Sequence, residues 1–126
     1  MNKYINTWGL YPWFVEYGVE FLHPDEVGLF EPNNSKVFFC KDYIDGYLLL
    51  QSGTKEFRVK PNNYKLLGSP KYNFGEQVYM KGKELIGTID EIQWHDKDKK
   101  HIFLLTFNGK RKTRRYYEEE LSKVDK

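Results

Sequence analysis

Short β-rich runs separated by tight-turn signals are the feature that most constrains this chain. Asn108-Gly109 and Asp45-Gly46 each stand directly between two such runs. Both dipeptides tolerate the positive φ angles that two-residue hairpin turns require. The pattern predicts strands at residues 20–23, 36–41, 47–51, 57–60, 77–80, 86–94, 101–107 and 111–117. Runs of this length are typical of a small antiparallel barrel or sandwich.

The composition points the same way. Aromatic residues make up 17% of the chain, and alanine does not occur in the sequence. A disordered chain lacks such aromatic content, and a helical bundle rarely forms without alanine, the strongest helix former. We therefore expect an all-β protein with short helical turns only.

The segment 85–92 is open to two interpretations. Its apolar residues follow helical spacing, but a helix there would include Gly87 and several β-branched residues. Those residues favour a strand. We expect a long strand that is bulged near Asp90-Glu91, and the helix remains the alternative.

An internal repeat divides the chain. Residues 47–53 align with 103–109, residues 18–22 align with 75–79, and Arg58 falls on Arg114. The offset is 56 or 57 residues throughout, which favours a structural duplication over chance similarity. Gly and Pro at 68–71 mark the joint, so the predicted domains are 1–67 and 72–126.

Three short motifs carry a family resemblance. Residues 74–79, Phe-Gly-Glu-Gln-Val-Tyr, resemble the opening strand of KOW and Tudor-type barrels, and residues 87–92 resemble their "G-x-I-x-x-I" second strand. Residues 116–121 resemble the helical turn and last strand of the same SH3-like family. The resemblance covers about residues 74–124, and a weaker version covers about 17–67.

The resemblance implies a fold of two tandem SH3-like barrels packed together, each with five short strands and a helical turn before the last. The opening residues 8–14, followed by 23–25, also resemble small uncharacterised bacterial proteins of this build. That likeness implies no activity.

The basic run 110–115 is the main candidate site, with five cations in six residues. Strand alternation would place Lys110, Lys112 and Arg114 on one face and Arg111 and Arg115 on the other. Cations there could hold phosphates while nearby aromatic rings stack on bases. The candidate binding surface comprises Trp94, Lys110, Arg111, Lys112, Arg114, Arg115 and Tyr116. The alternatives are a solvated edge hairpin, whose cations block edge-to-edge association, and an acidic protein partner.

An aromatic cage for a methylated ammonium is a second idea, by analogy with Tudor-like barrels. Its members would be Tyr79, Trp94, Phe103 and Tyr116. The favoured interpretation is that these rings form the core, because very small domains need large apolar groups to bury enough surface.

No pattern of catalytic or metal-ligating residues emerges. His23, His95 and His101 lack the paired spacing of a zinc site, and one cysteine forbids a thiolate cluster. We expect residues 94–98 to be an exposed hairpin loop and Cys40 to be a buried packing residue. The sequence therefore predicts no catalytic residue, no metal and no cofactor.

The aromatic segment 8–14 is dense in large apolar groups. Pro12 argues against a helix there and against a central strand. We expect the segment to pack across the first barrel or the seam between barrels; if exposed, it would be a binding site.

Several functional classes remain open. The first is a non-enzymatic, bacterial, cytoplasmic protein-interaction module, such as an adaptor or an immunity-type protein. The second is nucleic-acid binding through the basic hairpin of the second barrel, and an enzyme is the third. No apolar run approaches the roughly 20 residues that a membrane-spanning helix needs, so no membrane partner is expected. The sequence leaves the partner's identity and the oligomeric state open.

Overall fold

The computed structural model describes residues 3–33, 35–82 and 85–124, with the backbone alone for Val15 and residues 111–113. Within these ranges the strands are β1 (Trp8–Leu10), β2 (Val37–Ile44), β3 (Tyr47–Ser52), β4 (Lys55–Val59), β5 (Lys65–Leu67), β6 (Gln77–Met80), β7 (Ile86–His95), β8 (Lys100–Phe107), β9 (Lys110–Tyr117) and β10 (Leu121–Lys123). Single-turn 3-10 helices cover Val15–Tyr17, Val19–Phe21, Pro24–Glu26, Pro61–Asn63 and Glu118–Glu120. The prediction of an all-β fold with only short helical turns is confirmed. Within the described residues, none of the helices has the length and apolar character that crossing a bilayer requires.

The chain divides into two compact units, Met1–Ser69 and Pro70–Lys126, and each contains one antiparallel five-stranded sheet. The strand order is β5-β1-β2-β3-β4 in the first sheet and β10-β6-β7-β8-β9 in the second. The two sheets therefore share one order, in which the fifth strand of each unit pairs with the first. Among the described strands the pairing leaves two edges on each sheet, so the hydrogen bonds form open sheets and do not close into a barrel.

Two hairpin turns adopt the geometry that their sequences predict. Asp45 and Gly46 have φ angles of 54° and 88°, and Asn108 and Gly109 have φ angles of 51° and 79°. Two consecutive positive φ angles match the right-handed twist of the flanking strands. These turns fix the β2–β3 and β8–β9 hairpins.

The segment 85–92 is a strand, and the helical alternative is wrong. β7 pairs with β8 and carries a register shift between Ile89 and Glu91, close to the predicted bulge. β2 carries the same irregularity between Cys40 and Asp42, at the same place in its pairing with β3. Bulges of this kind bend a strand and increase its twist.

The predicted strand at 20–23 is wrong, and the true first strand is β1. Residues Val19–Phe21 form a 3-10 turn, and Leu22 makes only an isolated bridge. β1 lies inside the sheet between β2 and β5. Pro12 does not prevent this, because it lies beyond the last residue of the strand. The alignment of 18–22 with 75–79 is therefore also wrong, since β1 holds the position that β6 holds in the second sheet.

The aromatic segment 8–14 contributes to the core of the first unit, as expected. Tyr11 is fully buried and Trp13 is 3% exposed, both within one cluster with Phe38 and Cys40. Burial raises the pKa of the Cys40 thiol to about 11. In the second unit the most deeply buried residues are Tyr72, Val78, Ile89, Ile92, Phe103, Leu105 and Leu121.

Candidate interaction surface

Except for Trp94, which is on β7, the residues of the predicted surface lie on β9, one edge strand of the second sheet. The side chains of Lys110, Arg114 and Arg115 are exposed there. Arg111 and Lys112 lie in the same strand, but their side chains fall outside the described residues. β9 therefore presents at least three cations to solvent along an unpaired edge.

β9 carries a bulge, but the register on its two sides keeps the phase of the predicted alternation. The pairing of β8 with β9 shifts between Leu104 and Thr106, which lie opposite Arg115 and Arg111 respectively. Leu104 and Thr106 are two residues apart on β8, and positions 111 and 115 are four apart on β9, so the two pairs lie in the same phase of the pleat. Arg114 lies over the ring of Tyr116, two residues further along the strand, and both Arg114 and Arg115 are exposed.

The aromatic members of the predicted surface are not beside the cations in the way that base stacking requires. Tyr116 is 4% exposed, and the Arg114 guanidinium lies 4.9 Å from the centre of its ring. Trp94 is half-buried and pairs with His101, at the end of β8 away from the residue that pairs with Lys110. At roughly 3.3 Å per strand residue, that places Trp94 about 20 Å from Lys110 along the sheet.

The aromatic-cage residues are divided between core and surface. Phe103 and Tyr116 are buried, as the core interpretation predicted, while Tyr79 and Trp94 are half-buried. A cage must offer its ring faces to a ligand. Two of the four rings offer no such face.

Acidic residues neutralise part of the basic patch. Arg114 donates to Glu120 at 3.0 Å, and Lys100 donates to Glu119 at 3.1 Å. The hydrogen bond to Glu119 raises the pKa of Lys100 above its usual value, while a backbone hydrogen bond and Lys100 lower the pKa of Glu119. A shallow hollow beside β9 is lined by Met80, Lys81, Arg114, Tyr116, Glu119 and Glu120. Its rim carries both signs of charge.

The corresponding edge in the first sheet, β4, is covered by the chain itself. His23 N–H donates to the Arg58 carbonyl at 3.0 Å, and Lys60 N–H donates to the Phe21 carbonyl at 2.7 Å. Leu22, 2% exposed, forms an antiparallel bridge with Val59 between these two bonds. Residues 21–23 therefore behave as a short added strand, and we call residues 21–26 the covering segment.

Acidic side chains of the covering segment bind Arg58. Glu26 accepts from Arg58 Nε at 3.1 Å and from Nη2 at 3.3 Å, and Asp25 accepts from Nη2 at 3.3 Å. Glu26 is 9% exposed, so this pair is partly shielded from water. The hydrogen bond to Glu26 raises the pKa of Arg58.

Tyr11 joins the covering segment to the edge. Its single O–H donates to the Lys60 carbonyl at 2.6 Å and is shared with the Phe21 carbonyl at 3.2 Å. Burial raises the pKa of this phenol above its usual value. The sequence prediction missed this arrangement, although the acidic pair in His23-Pro-Asp-Glu26 was a visible signal.

The predicted exposed loop at 94–98 begins only at Asp96, because Trp94 and His95 are half-buried residues at the end of β7. His95 Nδ1 accepts from the Asp98 N–H at 3.1 Å, and Lys99 donates to Asp96 at 3.0 Å. Across the part of the chain that the structure describes, no cluster of His, Cys, Asp and Glu has the geometry to hold a metal ion.

Comparison with known proteins places the chain in a family. No curated protein and no solved structure matches it. Residues 1–122 match a family model described as a family of unknown function, DUF6960. Because that match spans nearly the whole chain, the protein belongs to the family DUF6960.

Proposed function

We propose that the protein is a non-enzymatic binding module that recognises a partner protein through the β9 edge of its second sheet. The observation that carries the proposal is an eight-residue edge strand with exposed Lys110, Arg114 and Arg115. An edge strand offers unpaired backbone N–H and C=O groups, and a partner can satisfy them by adding a strand of its own.

The common strand order of the two sheets supports a finer assignment. Each unit has a 3-10 turn, Pro61–Asn63 or Glu118–Glu120, directly before its fifth strand, and that strand returns to pair with the first. This arrangement favours a tandem duplication of an SH3-like unit. A bacterial, cytoplasmic setting is part of the same proposal, and it rests on the resemblance of residues 8–14 and 23–25 to small bacterial proteins.

Cys40 is a packing residue and not a nucleophile. Its sulfur is fully buried, and burial raises the pKa of the thiol to about 11. A neutral, inaccessible thiol is a poor nucleophile. This side chain therefore supports packing and not covalent chemistry.

Nucleic-acid binding is the second candidate, because Lys110, Arg114, Arg115 and Lys81 are exposed in one unit. The burial of Tyr116 and the ion pair of Arg114 with Glu120 weigh against it. Phosphate recognition needs free cations, and single-strand recognition also needs open aromatic faces.

One experiment separates the two candidates. A random peptide library is panned over the immobilised full chain, and single-stranded DNA and RNA oligomers are titrated in parallel at about 50 mM salt, where phosphate contacts are strongest. The proposal expects enriched peptides with saturable binding and no oligomer binding. Oligomer binding that weakens steeply with salt, without enrichment of any peptide, would favour the nucleic-acid function.

A further inference from the structure

The covering segment on β4 shows how a sheet of this strand order binds an extended acidic peptide at its edge. Backbone bonds of 3.0 and 2.7 Å dock residues 21–23 on the outer side of the strand. The apolar Leu22 lies between them, and carboxylates three and four residues further on reach Arg58. The recognition elements are thus one buried apolar residue and a following acidic pair.

The same position in the second sheet is occupied by Arg115. Asp42 pairs with Leu49 after the bulge in β2, and Glu91 pairs with Leu104 after the bulge in β7. Leu49 lies opposite Arg58, and Leu104 lies opposite Arg115. The register therefore matches Arg58 with Arg115, one residue beyond the Arg114 that the sequence alignment selected.

The described part of the second unit contains no covering segment of its own. The connection between β1 and β2 spans residues 11–36, whereas the connection between β6 and β7 spans only residues 81–85. So short a connection cannot cross the sheet to β9. Among the described residues no strand pairs with the outer side of β9, and Arg115 has no ion-pair partner there.

On β9, Glu120 makes one of the contacts that the covering segment makes on β4. Tyr117 corresponds to Lys60, since each precedes the 3-10 turn of its unit. The Tyr117 N–H donates to Glu120 Oε1 at 3.0 Å, where the Lys60 N–H donates to the Phe21 carbonyl. Glu120 Oε2 meanwhile accepts from Arg114. A carboxylate of this chain already sits on the edge where a peptide carbonyl would bind.

We infer that the β9 edge binds an extended acidic segment of a partner protein, which adds a short strand as residues 21–23 do on β4. An apolar residue would lie opposite Tyr116, and a carboxylate three or four residues later would pair with Arg115. Glu120 is the competitor that the incoming strand displaces from Tyr117. The inference rests on the proposed function and specifies its partner.

The test uses a capped peptide of residues 19–26, Val-Glu-Phe-Leu-His-Pro-Asp-Glu, titrated into the full chain labelled with ¹⁵N. We expect saturable amide shifts at residues 115–117. Arg115→Gln should weaken binding about tenfold, the size expected for loss of a charge-assisted hydrogen bond. A peptide in which Asn and Gln replace the last two acids should lose a similar factor, and Arg115→Gln should bind both peptides equally.

Two further variants make the test specific. Glu120→Gln should strengthen binding, because it weakens the competitor on the edge. Lys123→Gln removes the same charge from β10, the opposite edge of the same sheet, and should change affinity less than twofold.

Three results would overturn the inference: shifts only at residues 58–60, equal losses in Arg115→Gln and Lys123→Gln, or no shift with millimolar peptide. If library-selected peptides shift residues 115–117 but carry no acidic residues and bind Arg115→Gln equally well, the inference fails and the proposed function stands. If no peptide of any kind binds, both fail.

Discussion

β4 and β9, the fourth strands of their units, hold the same position in their sheets, but β4 is covered by another segment and β9 is open. β4 is covered by residues 21–23 of its own unit, while β9 has no added strand among the described residues. Sheet order is the same in both, so the difference comes from one connection: residues 11–36 in the first unit against 81–85 in the second. A sheet of this order leaves its fourth strand open unless the first connection is long enough to reach it.

The open edge of β9 carries features that disfavour pairing with a second copy of the chain. Lys110, Arg114 and Arg115 are exposed, the strand is bulged, and Glu120 caps the Tyr117 N–H. Charge and bulges are the usual means by which an edge avoids pairing with copies of itself. The same cations would attract the acidic strand that we propose as the partner.

The largest expected loss of stability comes from replacing Tyr11, which links the covering segment to β4. Tyr11→Ala removes a fully buried ring and should lower the free energy of unfolding by about 3–5 kcal/mol. Tyr11→Phe keeps the ring and loses only the hydroxyl that joins Phe21 to Lys60, so about 1–3 kcal/mol is expected. Chemical denaturation measures both.

Tyr72 provides the matched control in the second unit. Its hydroxyl donates to a single carbonyl, that of Leu121, at 3.1 Å. Tyr72→Phe should therefore cost about 0.5–1.5 kcal/mol, less than Tyr11→Phe. Equal losses would mean that the bridge to the covering segment contributes no stability of its own.

Leu22 tests whether the covering segment is held by burial. Leu22→Ala should destabilise the first unit by about 2–3 kcal/mol and release residues 21–23 from β4. Leu66→Ala, at a leucine that is 56% exposed, should change stability by less than about 0.5 kcal/mol. A similar small loss at both leucines would show that the segment is only loosely attached.

Alkaline pH should act on the first unit through Cys40. The pKa of this thiol rises from 9.0 to about 11 on burial, so the folded state disfavours the thiolate. The stabilisation is fully present below pH 9 and is lost as the pH rises through 11, by about 2–3 kcal/mol at most. Tryptophan fluorescence of a Trp94→Phe protein would report the first unit through Trp8 and Trp13.

Cys40→Val supplies the control for that titration. Valine cannot ionise and has a similar volume, so the variant should show a shallower loss of stability between pH 9 and 11. Parallel profiles for the two proteins would assign the alkaline loss to other groups, such as Tyr11 and Tyr64, whose pKa values burial also raises.

The smallest expected change in stability is that of Arg115→Gln, which is compared with Arg58→Gln. Arg115→Gln removes an exposed cation and should change stability by less than about 0.5 kcal/mol. Arg58→Gln leaves the buried Glu26 carboxylate without its cation and should lower the melting temperature more. If both variants melt together, Arg58 does not hold the covering segment.

Local sequence signals determined most of the strands but not the edges. β6 agrees residue for residue with its prediction because apolar alternation and flanking turn residues define it locally. β1 was missed because three residues are too few to give a periodic signal, and because the nearby Pro12 argued against a central strand. The position of the covering segment on β4 depends on pairing between residues 21–23 and 58–60, which no local sequence pattern encodes.

The candidate site shows the same division. A basic strand after Asn108-Gly109 was predictable from charge and turn chemistry. The bulge that places Arg115 opposite Leu104 was not, because it is set by pairing with β8. Likewise, the burial of Tyr116 follows from the sheet and not from its neighbours in sequence.

Native-state amide hydrogen exchange at Lys60 and Tyr117 tests the covered and open edges most directly. The Lys60 N–H is bonded to the Phe21 carbonyl under the covering segment, and the Tyr117 N–H is bonded only to the Glu120 side chain. The account predicts exchange at Lys60 at least about 100-fold slower than at Tyr117, since Lys60 opens only when buried contacts break. Equal protection of the two amides, or faster exchange at Lys60, would contradict it.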